Sequence, residues 1–492
     1  MRCVRRLTTA APTIYALASG RPPCGVAIVR VSGAHAPSVY EHMCASDKEA
    51  RPFRMMRRAI VHPRTREKLD DALVTFFPHG RSFTGQATLE LHLHGSAAVV
   101  RDVLEALSDM QRVLETRDIR PALPGEFTRR AFEHGRMDLT ACEALDSLLH
   151  AETTQQRRFA QRAASGYQAR MYDQLHMQLL DACAHTEAML DFDDEDQIDT
   201  QLWHRVRDTV QRMRTYLASE LQLDTPTHQR TYADAVMHGL RIALYGRPNA
   251  GKSSLLNRLV RRDAAIVTPY AGTTRDIIEV SMELAGYRVS LADTAGLRKA
   301  HDVIEKMGME RTQTYVQEAD LRVLVCTPDD LGGCVPAAGH RRLPKDMLER
   351  WGAHMDEPVL VLVNKMDTYT PSPTDMDAED GVPCVIWHTS VRHNVGIDTL
   401  LHDLASQVSR LYEKDEGSVP LVTQARHRHL LLEVVASLDA MLRYDELDDA
   451  PDLVMMAEEL RRAASALAQV TGRAITSDTV LGEIFARFCI GK

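Results

Sequence analysis

Hydrophobic residues change their spacing several times along this chain, and each change predicts a different kind of structure. Between residues 23 and 120, short apolar runs such as CGVAIVRVSG and DALVTFFP alternate with amphipathic stretches such as AAVVRDVLEALSDM, a pattern typical of an α/β domain. From about residue 126, apolar residues recur at three- and four-residue spacing with almost no Gly or Pro, which predicts a long helical region. The run LRIALYG at 240–246 then predicts a strand, and so do YRVSLADT, LRVLVCT and EPVLVLVNK farther along. The helical pattern returns after about residue 411 and continues through residue 488.

Two helical regions on either side of an α/β region indicate an inserted domain. The sequence therefore predicts a multidomain fold, α/β plus all-α, in which one discontinuous helical domain is interrupted. The predicted boundaries are residues 1–121 for an N-terminal α/β domain, 122–237 and 412–492 for the two parts of the helical domain, and 238–411 for the insert. The Pro-, Asp- and Gly-rich segments 328–345 and 368–383 are expected to be surface loops of the insert.

Composition limits the classes of protein to which the chain can belong. Its 492 residues are too many for one hydrophobic core, and no apolar run is long enough to predict a membrane span. The nine cysteines include no C-x-x-C pair, which argues against a zinc ribbon or a disulfide framework. This usage favours a reducing compartment, and we expect a cytoplasmic protein.

Positive charge is concentrated near the start of the chain although the net charge is −9. Residues 1–70 contain 13 Lys and Arg against 5 Asp and Glu. Much of the excess comes from a single stretch: Arg51, Arg54, Arg57, Arg58, Arg64, Arg66 and Lys68. Such a stretch indicates either a solvated strand-and-loop surface or a surface that faces RNA, and the sequence leaves both open.

The segment GRPNAGKSS, from Gly246 to Ser254, follows a predicted strand and precedes a predicted helix, as a P-loop requires. Its backbone N–H groups are expected to surround the β-phosphate of a nucleotide. Lys252 would neutralise charge on the β- and γ-phosphates, and the Ser253 hydroxyl would ligate Mg²⁺.

Two further segments predict the rest of the phosphate site. In DTAG, Asp293 ends a strand and is expected to hold the Mg²⁺ shell, while the Gly296 amide faces the γ-phosphate. In TPYAGTTRD, Thr274 is the predicted second protein hydroxyl on the metal, because its loop would close over the γ-phosphate.

The segment NKMD predicts which base is bound. The Asp367 carboxylate can accept hydrogen bonds from guanine N1–H and its 2-amino group, whereas adenine would leave a carboxylate unpaired. GTP is therefore preferred to ATP, and Ser390 in HTSVRHNVG is the predicted last base contact. The residues expected to contact GTP are Asn249, Ala250, Gly251, Lys252, Ser253, Ser254, Thr268, Pro269, Tyr270, Ala271, Gly272, Thr273, Thr274, Asp293, Thr294, Ala295, Gly296, Asn364, Lys365, Met366, Asp367 and Ser390.

The residue after DTAG is Leu297, where Ras-type enzymes carry a glutamine that orients the attacking water. An apolar side chain cannot orient water. The sequence leaves several substitutes open: a residue of this chain (Arg275, Arg298, Glu305 or Glu310), a partner, or a second cation.

Beyond these motifs, the chain resembles the MnmE (TrmE) family of tRNA-modification GTPases. The resemblance rests on NAGKSS, AGTTRD and DTAGLR, and outside the nucleotide motifs on VAIVRVSG, SFTGQATLELHLHG, PGEFTRRAFEHGRMDLT and TSDTVLGEIFARFCIGK. It implies an N-terminal tetrahydrofolate-binding and dimerising domain, a discontinuous helical domain and an inserted Ras-like P-loop G domain. It also implies work with an FAD-dependent MnmG-type partner that adds a carboxymethylaminomethyl-type group to C5 of the wobble uridine of certain tRNAs.

The resemblance implies further ligands and roles. A K⁺ ion that promotes homodimerisation of G domains would be bound by Asn249 and by the loop containing Thr268, Tyr270 and Thr273, which fits the missing glutamine. Glu305 matches the family's water-orienting glutamate, so the implied catalytic residues are Glu305, Lys252 and Thr274. The implied folate-binding residues are Arg30, Glu90, Arg136 and Lys492.

Three alternatives stay open at this point. An Era-like ribosome-assembly or RNA-binding switch would share the G motifs, but would have no reason to carry the terminal CIGK. A GTPase that has lost the modification role is another possibility, with Arg136 and Tyr270 as departures from the usual pattern. Cys489 in FCIGK could be a nucleophile or a small hydrophobic packing residue.

Overall fold

A computed structural model describes residues 11–45, 49–191, 200–223, 232–260, 278–293, 315–355, 358–370, 373–374, 378–412, 420–446, 452–474, 478–486 and 488–491. The chain separates into two compact units. The first unit contains residues 1–149, 163–211 and 430–492, and the second contains residues 150–162 and 212–429.

The first unit contains a six-stranded sheet with the spatial order β3-β4-β5-β2-β1-β6. The strands are β1 (Thr13–Leu17), β2 (Val26–Ser32), β3 (Met56–Val61), β4 (Lys68–Phe77), β5 (Thr88–His94) and β6 (Ile119–Pro121). β1 pairs with β6 in parallel, and the other neighbours are antiparallel. Helices α1 (Ala36–Met43) and α2 (Ala97–Val113) pack on this sheet, as the alternating apolar pattern predicts.

Side chains alternate strictly across the middle of this sheet. In β2, Val29 and Val31 are buried in the core with the helices, whereas Arg30 between them is only partly buried. The same alternation in β5 buries Leu91 and leaves Glu90 and His92 on the other face. One face of the sheet is therefore the core, and the opposite face presents polar side chains.

Five helices follow the sheet: α3 (Glu126–Glu133), α4 (Leu139–Leu149), α5 (Thr154–Ala164), α6 (Tyr167–Asp191) and α7 (Thr200–Glu220). The sequence predicted continuous helical pattern here, and the structure divides it. The backbone turns after α3 at Gly135, which has a positive φ of 65°.

The second unit contains a seven-stranded sheet with the order β11-β13-β12-β10-β7-β9-β8. Its strands are β7 (Leu240–Tyr245), β8 (Ile278–Leu284), β9 (Tyr287–Asp293), β10 (Leu321–Cys326), β11 (Gly339–Leu343), β12 (Val359–Val363) and β13 (Val382–His388). The five central strands run parallel, and β8 and β11 are antiparallel at the two edges. The helices of this unit include α8 (Tyr232–His238), α9 (Lys252–Val260), α10 (Lys345–Trp351) and α11 (Ile397–Tyr412), and a 3₁₀ turn covers Met366–Thr368.

The parallel part of this sheet reverses its strand order at β7, which lies between β9 and β10. The chain passes from β7 to β9 on one side of β7 and then crosses to β10 on the other side, so a crevice is expected at the carboxyl ends of these strands. Ligands of open α/β sheets bind in such crevices. The P-loop segment begins at this point, directly after Tyr245.

The edge strand β11 lies inside the segment 328–345 that the sequence predicted to be a loop, so that prediction is wrong for residues 339–343. The strand pairs antiparallel with β13. Its sequence, GHRRL, is mostly exposed and polar. An edge strand pairs with a neighbouring strand on one side only, and β11 is mostly exposed to solvent. Its sequence therefore lacks the alternation of apolar and polar residues that would have predicted a strand.

Three helices follow the second sheet: α12 (Ala425–Glu446), α13 (Leu453–Thr471) and α14 (Asp478–Ala486). Helix α13 packs along α6, although some 260 residues of sequence separate them. Two ion pairs link these segments, Arg461 with Glu187 (2.9 Å) and Arg473 with Asp173 (2.8 Å). This packing joins helices from before and after the second sheet, as predicted for an interrupted helical domain.

None of the helices in the described parts of the chain combines the length and apolar character that crossing a membrane requires.

Candidate nucleotide site and neighbouring polar sites

The P-loop runs from Gly246 to Gly251 and leads into α9 at Lys252. Gly251 has a φ of 102°, and a Cβ at this position would collide with the Asn364 Nδ2 atom. Asn249 also adopts a left-handed conformation, with a φ of 63°. Glycine is therefore needed at residue 251 both for the backbone conformation and for the close approach of the NKMD segment.

Lys252 is 3% exposed, and its ammonium group lies inside the loop. Its Nζ donates to the carbonyl oxygens of Gly246 and Arg247, both at 2.8 Å. Ser253 and Ser254 follow in the first turn of α9 and are exposed. A buried ammonium at the end of a strand and the start of a helix is suited to neutralising a bound phosphate.

Asn364 connects the P-loop to the loop after β13. Its Nδ2 donates to the Ala250 carbonyl (2.9 Å), while its Oδ1 accepts from the Val391 N–H (3.2 Å). The side chain is 2% exposed. Asn364 therefore holds two loops in fixed positions, the P-loop at Ala250 and the loop after β13 at Val391.

Asp367 and Ser390 meet at the base end. Ser390 Oγ donates to Asp367 Oδ1 at 2.5 Å, and His393 Nε2 lies 3.7 Å from the other carboxylate oxygen. The hydrogen bond from Ser390 holds the pKa of Asp367 below its ordinary value. The Met366 N–H donates to the Thr389 carbonyl (3.1 Å), and Lys365 is exposed with a φ of 60°. These contacts present an ionised carboxylate at the protein surface.

Asp293 is the last residue of β9, and its backbone pairs in register with Leu244 of β7. The DTAG segment therefore begins beside the P-loop, as the sequence predicts. The Asp293 side chain lies outside the part of the structure that is described. The same is true of these other predicted residues: Thr268, Pro269, Tyr270, Ala271, Gly272, Thr273, Thr274, Thr294, Ala295, Gly296, Leu297, Glu305 and Lys492.

On the polar face of the first sheet, Arg30 and Glu90 are cross-strand partners. Arg30 Nε donates to Glu90 Oε1 at 2.9 Å, and the guanidinium lies 5.6 Å from the Phe83 ring centroid. His92, whose Nε2 lies 3.7 Å from Glu90 Oε2, and Arg30 together hold the pKa of Glu90 below its ordinary value. Our sequence interpretation missed His92, although the alternation in LELHLH places it on the face of Glu90.

Arg136 borders the same loop as Arg30. Its Nη1 is 3.5 Å from the Gly80 carbonyl oxygen, and Phe83 of that loop lies near Arg30. The CIGK segment also reaches this sheet, because Gly491 packs directly against the Leu17 carbonyl at the end of β1. Cys489 is exposed. The structure thus brings three predicted folate positions and the terminal motif to one sheet.

The PGEFTRR motif forms a buried ion-pair network that the sequence did not reveal. Arg130, which is 3% exposed, donates to Glu126 Oε1 and to Gln86 Oε1, both at 2.8 Å. Arg120 donates to both oxygens of the same carboxylate, at 2.7 and 2.8 Å. Burial alone would raise the pKa of Glu126, but the hydrogen bonds from Arg120 and its neighbours outweigh burial and lower it.

The second sheet, the P-loop and the NKMD segment define a P-loop G domain, carried here by a chain with a separate α/β sheet and many helices. Comparison with known families identifies the group more closely. The family profile described as the GTP-binding protein TrmE N-terminus matches residues 13–136, and the profile described as the MnmE helical domain matches residues 139–489.

Individual relatives agree with these profiles along the whole chain. The tRNA modification GTPase MnmE of Rhodopseudomonas palustris (strain BisB18) is 38% identical, over 98% of this chain and 99% of the relative. The mitochondrial 5-taurinomethyluridine-[tRNA] synthase subunit GTPB3 of Danio rerio is 37% identical, over 98% of this chain and 93% of the relative. The solved G domain of the T. maritima FeoB iron transporter covers 34% of this chain and 98% of its own at 20% identity, with a TM-score of 0.22.

The chain therefore belongs to the MnmE (TrmE) family of tRNA modification GTPases. The predicted family and the predicted fold class are both confirmed.

Proposed function

We propose that this protein binds and hydrolyses GTP, and that hydrolysis serves the modification of tRNA. The reaction would add a carboxymethylaminomethyl-type group to C5 of the wobble uridine of certain tRNAs, in the cytoplasm and together with an FAD-dependent MnmG-type partner. The observation that carries the proposal is the contact set of Asn364, which joins the P-loop to the base-binding loop next to Asp367. Relatives that align over nearly the whole chain are named tRNA modification GTPases, which supports the choice of tRNA.

Guanine selection follows from the state of Asp367. An ionised carboxylate accepts hydrogen bonds and cannot donate them, so it suits the N1–H and 2-amino donors of guanine. Ser390 uses one carboxylate oxygen and orients the group, which leaves lone pairs on both oxygens for the base. Adenine has no matching donors at these positions and would lose these hydrogen bonds.

The phosphate end fits Mg²⁺ held by few protein atoms. No group of three or more His, Cys, Asp or Glu side chains in the described residues is arranged to bind a metal ion by itself. Mg²⁺ ordinarily keeps water and phosphate oxygens as ligands and needs few protein ligands. The exposed hydroxyl of Ser253 at the start of α9 is suited to this role, and Thr274 and Asp293 would complete the site. The ion would neutralise charge on the β- and γ-phosphates.

Water orientation and additional positive charge need other groups, because residue 297 is leucine. We assign the water-orienting role to Glu305, and catalytic roles at the phosphates to Lys252 and Thr274. K⁺ would be held by Asn249 and by the loop of Thr268, Tyr270 and Thr273, in a pair of closed G domains. Asn249 lies in the P-loop ahead of α9 with a left-handed backbone conformation, which is compatible with such a role.

A tetrahydrofolate derivative would bind on the polar face of the first sheet. The Arg30–Glu90 pair offers a carboxylate for the N–H donors of a pterin and a guanidinium for anionic groups. Arg136 lies by the same loop, and Lys492 follows the Gly491 contact with β1. We retain the predicted boundaries, 1–121, 122–237 with 412–492, and 238–411, as the domains that carry these sites.

Nucleoside analysis of bulk tRNA tests the proposed function. Cells that lack the protein should lose the C5-substituted wobble uridines, and expression of the unaltered chain should restore them. Lys252→Ala should fail to restore them, because the phosphate charge would lack its ammonium partner. Arg350→Ala, a change of an exposed surface cation, is the matched control and should restore them fully.

Unchanged wobble uridines in the cells that lack the protein would contradict the proposal. If ribosomal RNA maturation failed in those cells while tRNA stayed normal, an RNA-binding switch would be the better description.

A further inference from the structure

Four arginines form a basic edge on the first sheet: Arg51, Arg54, Arg57 and Arg81. Three of them lie in the turn before β3 and at its start, and β3 is the outermost strand of the sheet. The fourth belongs to the loop after β4. All four are exposed, and the Arg57 side chain is 78% exposed.

The basic edge has little acidic compensation. Within the described residues, Arg51, Arg54 and Arg81 form no ion pair with an acidic side chain. Arg57 has one acidic neighbour, Asp71 at 3.8 Å, and Asp71 also pairs with Lys68 at 2.6 Å. Four exposed guanidinium groups, of which one has an acidic partner, create a positive potential, although the whole chain has a net charge of −9.

Phe53 fixes the basic edge in place. Its ring packs edge-on against Phe77 of β4, with centroids 5.8 Å apart, and the Arg81 guanidinium lies 5.0 Å from the Phe53 centroid. Phe53 has a φ of 58°, an uncommon conformation for a bulky residue. The turn is thus held in an unusual shape that gathers arginines from two separate segments.

The register of the sheet relates the basic edge to the Arg30–Glu90 pair. Arg57 is paired with Leu73 of β4, and Leu73 is paired with His92 of β5. Paired residues share a face, so Arg57 lies on the polar face that carries Glu90 and His92. Two strand spacings separate Arg57 from His92, which is roughly 10 Å at about 4.8 Å per strand.

We propose that the basic edge binds the phosphate backbone of tRNA and guides it onto the polar face of the first sheet. The choice of tRNA rests on the function proposed above. Guanidinium groups pair with phosphates through two parallel hydrogen bonds, and all four cations here are arginine rather than lysine. A strand held at this edge would lie beside the Arg30, Glu90 and His92 side chains, so a base could reach the proposed one-carbon donor without leaving the sheet.

Charge reversal tests this proposal. The variant Arg51→Glu/Arg54→Glu/Arg57→Glu would be compared with Arg101→Glu/Arg112→Glu/Arg117→Glu, which has the same net charge. The control arginines are exposed and lie on α2 and in the turn after it, and α2 packs on the other face of the sheet. Binding of a fluorescent unmodified tRNA transcript would be measured by anisotropy at several salt concentrations, using the full-length protein.

The edge variant should bind at least tenfold more weakly at low salt. The slope of log K against log salt should fall by about 2 to 3, because each lost phosphate contact contributes about 0.7 to 0.9. The control variant should stay within about threefold of the unaltered protein, since long-range charge effects are screened. Both variants should keep GTP turnover and thermal melting unchanged, which separates RNA contact from misfolding.

Equal tRNA binding by the edge variant and the unaltered protein would overturn the proposal, and so would an equal loss in both variants. A failure of the unaltered protein to bind tRNA would also overturn it. The nucleoside analysis is independent of these results: restored wobble uridines in cells that express an edge variant with normal tRNA binding would leave the proposed function intact and reject the basic edge alone.

Discussion

At the scale of single residues, Asn364 and Ser390 hold other parts of the protein in place. Asn364 uses its amide to tie the Ala250 carbonyl to the Val391 amide, and Ser390 orients the carboxylate of Asp367. Each bond joins segments that are far apart in the chain. The Asp367 carboxylate, which we propose binds the base, is therefore already positioned without a ligand, which would reduce the ordering that binding requires.

Replacing Asp367 with asparagine should exchange the base preference. The asparagine amide can donate to the 2-oxo group of xanthine, whereas it presents a donor to the N1–H and 2-amino donors of guanine. We expect the affinity for GTP to fall by at least a hundredfold, about 2.7 kcal/mol, and that for XTP to rise. Competition binding with labelled GDP and XDP measures both changes.

Asp346→Asn is the matched control for this substitution. Asp346 is exposed on α10 and pairs with Arg350, away from the NKMD segment in sequence. It should leave the preference for GTP unchanged. Retention of GTP selectivity by Asp367→Asn would show that base recognition has been assigned to the wrong residue.

The sequence predicted the positions of the nucleotide motifs but not the contacts that connect them. Lys252 and Asp367 could be assigned because their roles follow from short local patterns. The link from Asn364 to Ala250 spans more than a hundred residues of sequence, and only the sheet order brings these residues together. His92 was missed for a related reason, since its proximity to Glu90 depends on strand alternation that we did not apply there.

At the scale of secondary-structure elements, α3 is attached to the first sheet by charge as well as by apolar packing. Its residues Glu126 and Arg130 connect to Arg120 of β6 and to Gln86 before β5. The segment PGEFTRR is one of those on which the resemblance to the MnmE family rests. The structure gives that segment a physical role, which is to fix the helix to the sheet through a network with most of its polar atoms satisfied.

Substitution of Arg130 with methionine should destabilise the protein strongly. The change removes the central cation and leaves the Glu126 carboxylate with one cationic partner in a buried position. A hydrogen bond to a charged group contributes about 1.5 to 3 kcal/mol to the free energy of unfolding, so the urea midpoint should fall markedly. Equilibrium urea denaturation followed by circular dichroism provides the measurement.

Arg129→Met supplies the comparison on the same helix. Arg129 pairs with Glu133 at 2.8 Å, but both side chains are more than a third exposed. Surface pairs contribute about 0.2 to 1 kcal/mol, so this variant should remain close to the unaltered protein. Similar midpoints for the two variants would mean that the buried network does not stabilise α3.

At the scale of the whole molecule, G-domain chemistry requires something outside the standard set of catalytic residues, because Leu297 follows DTAG. A monovalent cation near the phosphates can supply the positive charge that an arginine finger supplies elsewhere. Because Leu297 cannot orient water, we expect that a monovalent cation and a second G domain take part in hydrolysis.

GTP turnover should depend on K⁺. At constant ionic strength, replacing NaCl with KCl should raise the rate at least tenfold, since Na⁺ is too small to fill a K⁺ site of fixed geometry. Asn249→Ala should lose most of this stimulation, whereas Asn257→Ala, at an exposed position of α9, should keep it. Phosphate release under the two salts is the measurement, and equal rates in Na⁺ and K⁺ would reject cation activation.

The interrupted helical arrangement could be predicted from the return of helical spacing after residue 411, because periodicity is a local property. The packing of α6 against α13 could not be predicted, since the sequence of neither helix specifies which other helix it contacts. Apolar faces of similar width can pack against many helices. Contacts between the two segments, such as the ion pair of Arg473 with Asp173, become visible only in three dimensions.

The contact of Gly491 with the Leu17 carbonyl has a consequence for how the protein is made. Gly491 has a φ of 98°, and a Cβ there would collide with that carbonyl, so the backbone at residue 491 fits tightly against the end of β1. Phe485 likewise packs with Phe132 of α3. A ribosome releases the first sheet long before it reaches these residues, and domains generally fold as they emerge. The first sheet therefore carries an uncovered surface until residues 485–491 have been synthesised, and a nascent chain that stops before them is left with that surface exposed to chaperones and proteases.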